Sequence, residues 1–311
     1  MSFLLTPAAF IIIIFGAYFL KRGGFFGEND YRPVSKIVLN ITLPAAVIHA
    51  FDGFERDMSL FLVVLIGCCC SLLPLLVMYL LTRGQERGRR VFSMINAAGF
   101  NIGCFSLPLI QSFFGPAGAA IACMFDTGNA VMVTGGSFGI TTSLLQGQKT
   151  GAGREDGQPA LPPLWKRFLT SVPFDAYMLM LLLYALNIAV PEWILTLTKP
   201  IANANGFMAM LMVGLMFKPE KNPVYLTDTA KVVAVRLAMG ACFSLLLFWC
   251  TPFSYEVRRV LAVVVFAPVS ALAPAFTEKS GGNGALSSFA NSISIFASLL
   301  VMTCLAAFLG V

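Results

Sequence analysis

The stretch NAAGFNIGCFSLPLIQSFFG, running from Asn96 to Gly115, decides the fold. It is apolar enough for a membrane interior, yet Gly99, Gly103 and Pro108 interrupt it, and Asn96, Asn101 and Ser106 set polar side chains beside the interruptions. Lipid cannot satisfy freed backbone N–H and C=O groups, so a broken helix persists at membrane depth only where protein or a water-filled cavity surrounds it. A second stretch of the same kind, VLAVVVFAPVSALAPAFTEKSGG from Val260 to Gly282, carries Pro268 and Pro274. Proline removes a backbone donor and clashes with the preceding turn. Helix breaks are therefore expected at Pro108, Pro268 and Pro274.

The rest of the chain fits a membrane setting. Of 311 residues, 58% are apolar and only 12% are charged, and the mean hydropathy is +0.81. Those values exclude a soluble globular protein, a disordered chain and a nucleic-acid binder. Apolar blocks long enough to cross the hydrocarbon core run over 4–20, 34–51, 58–82, 91–114, 117–145, 166–188, 193–217, 229–251, 258–277 and 284–309, which predicts ten spans. The first is expected to stay in the membrane, because Lys21 and Arg22 follow it and no positive charge precedes it, the reverse of a signal peptide.

Lysine and arginine sort the connections by side. With the N-terminus outside, the cytoplasmic connections would hold 17 of the 21 Lys and Arg residues, leaving only Arg56, Lys199, Arg258 and Arg259 on the other face. A multi-pass protein of the plasma membrane, or bacterial inner membrane, with both termini outside is expected. The Gly- and Pro-rich connection QGQKTGAGREDGQPALPPLW, 146–165, divides the chain evenly. It predicts a five-helix repeat over 1–146, a cytoplasmic linker over 147–165 and a second repeat over 166–311. Five is odd, so the second repeat would be inverted relative to the first, as in many secondary transporters.

Little chemistry is available. There is one histidine, His49, and the eight cysteines sit in apolar stretches without CxxC spacing, so neither a His-rich metal site nor a disulfide framework is expected. No GxxxxGK[ST], HExxH or GxGD stretch is present, which leaves nothing to bind a nucleotide or build an intramembrane protease. No cofactor is expected. The intramembrane polar residues are then the functional candidates. Asp126 in CMFDTGNAVMV, with Asn129 on the same helical face, is suited either to Na+ or H+ coupling or to hydrogen bonding the broken fourth span. Asn291 in SSFANSISIF lines a substrate or bonds a neighbouring helix; Arg236 neutralises a substrate carboxylate or snorkels to the interface; Asn203 and Asn205 mark a polar spot. Broken helices would aim half-helix N-termini at an anion. The expected substrate-binding set is Asn101, Gly99, Gly103, Ser106, Pro268, Ser270 and Asn291.

Several stretches resemble the auxin efflux carrier family, which includes the PIN-type plant exporters and bacterial permeases for malonate and malate. They are the Gly16-to-Lys21 end of the first span, VLNITLPAAVIHAF (Val38 to Phe51), the Asn96-to-Gly115 stretch, ANANGFMAMLMVGLMF (Ala202 to Phe217) and APVSALAPAF (Ala267 to Phe276). The resemblance implies an all-α integral membrane fold of two inverted five-helix repeats, similar to sodium/bile-acid symporters and sodium/proton antiporters, with helices 4 and 9 crossing at the midplane. It implies that Asn101 contacts a substrate carboxylate, that Pro268 is the crossover proline of the ninth span, and that the protein is a homodimer. The chain departs from the plant pattern at Phe100, where a proline would stand, which leaves the fourth-span break to Gly99 and Gly103. The function expected is secondary active transport of a small organic anion, a mono- or dicarboxylate, by alternating access. A non-transporting membrane ligand sensor, an intramembrane enzyme and a channel are the alternatives.

Overall fold

The computed structural model describes residues 5–146, 166, 168, 170–217 and 223–310; the expected linker over 147–165 lies outside them. The described residues are helical, without strands. Helix α1 spans Leu5–Arg22. Helix α2 (Tyr31–Ile37) runs through a wide π-turn, Val38–Thr42, into α3 (Leu43–Ala50). Helix α4 covers Phe61–Leu81 and α5 covers Arg87–Ala97. After a second wide turn, Ile102–Ser106, comes α6 (Leu107–Val131), then a third at Met132–Gly136 and α7 (Ser137–Leu144). The remainder is α8 (Val172–Leu186), α9 (Glu192–Met216), α10 (Pro223–Trp249), α11 (Tyr255–Val264), α12 (Ala273–Lys279) and α13 (Gly284–Phe308).

Among the described residues, six helical runs are long and apolar enough to cross a membrane: Leu5–Arg22, Tyr31–Ala50, Met58–Leu81, Ile102–Leu144, Tyr225–Trp249 and Gly284–Phe308. Ile102–Leu144 is 43 residues long, about twice what one crossing needs. Gly115, at φ 67 and ψ −164, breaks it just before Pro116, between two of the apolar blocks read from the sequence. Outward faces are apolar, as Ile12, Leu65, Leu182, Leu197, Leu245 and Leu300 illustrate, which suits contact with lipid tails.

The helices pack in two groups. In one, α9 packs on α1 and α3, and α3 on α8; in the other, α4 packs with α6, α10 with α11 and α13, and α12 with α5 and α13. Helices α4 and α6 approach so closely that a Cβ on Gly128 would collide with the backbone of Val64 and Cys68, the small-residue packing that membrane helices use in place of a hydrophobic driving force. The groups meet along α3, α8 and α9 against α6 and its preceding wide turn.

Candidate functional site

Helical structure stops at Ala97 and resumes at Ile102, and it stops again at Val264 and resumes at Ala273. The two unwound segments touch: the Asn101 N–H donates to the Pro268 carbonyl at 2.9 Å. Gly99 makes the first break possible by taking φ +67, and a Cβ there would stand 2.9 Å from the Val133 Cγ2. Its N–H donates to the Ser71 carbonyl at 3.3 Å.

Pro268 lies within the second unwound segment. Pro108 and Pro274 do not interrupt helices. Pro274 sits in the first turn of α12, where a missing N–H would have had no partner and φ is already helical; Pro108 opens α6 directly after the wide turn Ile102–Ser106, and the helical run continues through it. Around the breaks, Ser270 Oγ accepts from Leu272 N at 3.3 Å, and Ser106 Oγ donates to the Asn101 carbonyl at 3.4 Å.

Asn129 holds the first unwound segment open. Its Oδ1 accepts from Phe100 N and Ser71 Oγ, both at 2.8 Å, while its Nδ2 donates to the Phe100 carbonyl at 2.8 Å and to Asp126 Oδ1 at 2.7 Å. One side chain thereby satisfies both main-chain groups of a residue outside any helix. The other Asp126 oxygen accepts from the Tyr177 hydroxyl of α8, and the Gly103 backbone also bonds this carboxyl. Asp126 and Asn129 therefore lie together, both buried, against the first break.

Arg236 occupies the centre. Its guanidinium donates to the carbonyls of Asn96 (3.3 Å), Ala97 (2.8 Å), Gly99 (2.8 Å), Ala267 (2.9 Å) and Pro268 (3.1 Å), and it sits 4.9 Å over the Phe100 ring. It does not snorkel, being 8% exposed. Helices α5 and α11 both end here, and their last carbonyls have no intrahelical donors, so a cation at this point also meets the negative ends of two helix dipoles. On the far side, Asn96 ties α5 to the second half through Thr277 Oγ1 at 3.1 Å and Ser287 Oγ at 2.6 Å.

Asn101 has no such network. It is 5% exposed, and its Nδ2 has no hydrogen-bond partner. Asn291 is also buried, with an unpartnered Oδ1, but it stands on α13, and its main-chain carbonyl is linked to the second break through Ser294, whose Oγ donates to it at 2.7 Å and accepts from Val269 N at 3.0 Å. Gly103 marks the join between the helix groups: a Cβ there would press on both Leu43 methyls and the Tyr177 hydroxyl, and its carbonyl faces Asn205 Nδ2 at 3.5 Å. Asn205 Oδ1 accepts from Thr42 Oγ1 at 3.0 Å. Asn205 and Pro108 also line a cavity of about 830 Å³ shared with His49, Gln111, Lys199 and Asn203.

Tyr177, Ser71 and Thr42 carry no sequence signal, since a lone hydroxyl in an apolar helix is ordinary. Arg236 did carry one, as a charge inside a 27-residue helix, but its partners are backbone carbonyls that no residue pattern announces.

The sequence is similar to those of known membrane proteins. The model of a family described as "Membrane transport protein" matches residues 4–158, which include the first break, Asp126 and Asn129. An "Uncharacterized transporter" of Methanothermobacter thermautotrophicus is 29% identical over 180 residues, 55% of this chain and 57% of the relative; the chain thus spans little more than half of that relative's length. Both descriptions name transport and neither names an enzyme. With its apolar helices and two breaks packed at one crossing, the chain is a multi-pass membrane protein and belongs to the membrane transport protein family, that of the auxin efflux carriers.

Proposed function

We propose that the protein is a secondary active transporter of a small organic anion, a mono- or dicarboxylate, working by alternating access around the crossed breaks. The observation that carries this reading is the buried, unpartnered Asn101 Nδ2. A buried donor without an acceptor is costly. This one stands at the N-terminal end of the helical run from Ile102, where the helix dipole favours negative charge. A ligand carboxylate would satisfy both. The α1, α3, α8 and α9 group would act as the support against which the other group moves, with Gly103 as the contact that must slide.

The ten-span reading follows by counting the two interrupted helices as one span each and dividing the Ile102–Leu144 run at Gly115. Residues 1–146 and 166–311 then form inverted five-helix repeats joined by 147–165, with both termini outside in the plasma membrane. The cavity of about 830 Å³ would open outward, since it takes in His49 and the Glu192 end of α9. For coupling, H+ suits Asp126 better than Na+, because its oxygens face the donors of Tyr177 and Asn129 rather than the several oxygens a hard cation needs. The resemblance supports a homodimer. Uptake of radiolabelled carboxylates into proteoliposomes tests the reading: saturable uptake is expected, and ligand binding without flux would favour a sensor.

A further inference from the structure

The carbonyl oxygens gathered at the crossing come from chain segments about 170 residues apart, and they converge on one side chain. Asn96, Ala97 and Gly99 supply three from the first break; Ala267 and Pro268 supply two from the second. Carbonyl oxygens clustered at helix C-termini are what hard cations bind. Here the planar fork of a guanidinium fills that place, with the Phe100 ring closing one face at 4.9 Å. Among the described residues no carboxylate lies within ion-pair distance of Arg236. Its charge is solvated by carbonyl dipoles, with no ion-pair partner among the described residues. The Pro268 oxygen that accepts from Arg236 also accepts from the Asn101 main-chain N–H, so the charge stands one carbonyl away from the backbone of the residue whose side-chain Nδ2 is unpartnered.

We infer that Arg236 is a resident cation of the crossing: it provides the fixed positive charge that a coupling metal ion would otherwise bring, and so makes carboxylate binding beside Asn101 independent of sodium. The inference rests on the organic-anion reading above. Because Arg236 contacts the carbonyls and not the ligand, it is a positioning residue. It holds the two breaks together and biases the site electrostatically toward an anion. A lysine in its place keeps the charge but, as a compact ammonium, cannot reach both breaks with a fork of donors.

Purified protein is titrated with acetate, benzoate, malonate and malate in sodium buffer and in choline buffer, and the melting temperature is followed in parallel. The acid that binds best should bind equally in both buffers. Arg236→Ala should weaken it on the order of 100-fold, and millimolar ethylguanidinium should return about tenfold of that loss, with tetraethylammonium inactive. Arg236→Lys should fall between. Wild-type binding that needs sodium overturns the inference, as does an Arg236→Ala variant that binds at wild-type strength or one whose loss neither ethylguanidinium nor lysine relieves. If none of the four acids binds the wild type, the anion reading fails by itself, and the melting temperature decides the remainder. Ethylguanidinium raising it in Arg236→Ala but not in the wild type supports a resident cation; no difference between them overturns it.

Discussion

The Asn101 N–H donates to the Pro268 carbonyl across the two unwound segments, joining residues 167 positions apart at 2.9 Å. The bond uses only main-chain atoms, so the Asn101 side chain is free for another task, and it is buried with no acceptor for its Nδ2.

Asn101→Ala should therefore leave the crossing intact and remove the ligand contact. Transport of a confirmed carboxylate should fall about 10- to 100-fold, the range for a hydrogen bond to a charged group, with little change in melting temperature. Unchanged uptake in proteoliposomes would show that the amide does not meet the substrate.

Asn129→Ala should behave in the opposite way. It strips Phe100 of partners for both its N–H and its carbonyl and leaves Asp126 one donor short, costing about 1–3 kcal/mol for a buried unsatisfied group. Reversible unfolding in mixed micelles would measure it. A loss of ligand binding without loss of stability would instead place Asn129 on the ligand.

Gly99→Ala forces a Cβ into the left-handed region and toward Val133. The expected cost is about 1–2 kcal/mol from backbone strain alone. Gly16, which has open space around it in the middle of α1, is the control: Gly16→Ala should be neutral or slightly stabilising in the same assay.

Tyr177→Phe removes the hydroxyl that links α8 to Asp126. Stability should drop by about 0.5–1.5 kcal/mol, and amide exchange should rise in the 102–106 turn but not in α4. Equal exchange in the two proteins would mean that this bond does not hold the two helix groups together.

Much of this arrangement was legible in the residues. Gly99 and Gly103 with the neighbouring amides located the first break and Pro268 the second, and the Asp126–Asn129 spacing placed those side chains on one face. What was not legible depends on separation in the chain. The helix-starting role of Pro274, and the passage of the helical run through Pro108, depend on where helices resume, which is set by contacts at the crossing. The role of Arg236 depends on carbonyls up to 140 positions away, and every residue type offers a carbonyl. Helices α5, α11 and α12 are each too short to cross a membrane for a related reason: a break divides a span into pieces shorter than a bilayer.

Phe100 gives the crossing an asymmetry. The second break contains Pro268, which has no N–H to return to a helical ladder, so that gap is permanent. The first is held by the Asn129 amide clasping a residue that keeps its N–H. Nothing covalent prevents the first segment from rewinding once the clasp opens. One of the two crossing helices is thus a latent continuous helix, and the energy needed to straighten it is that of a few hydrogen bonds.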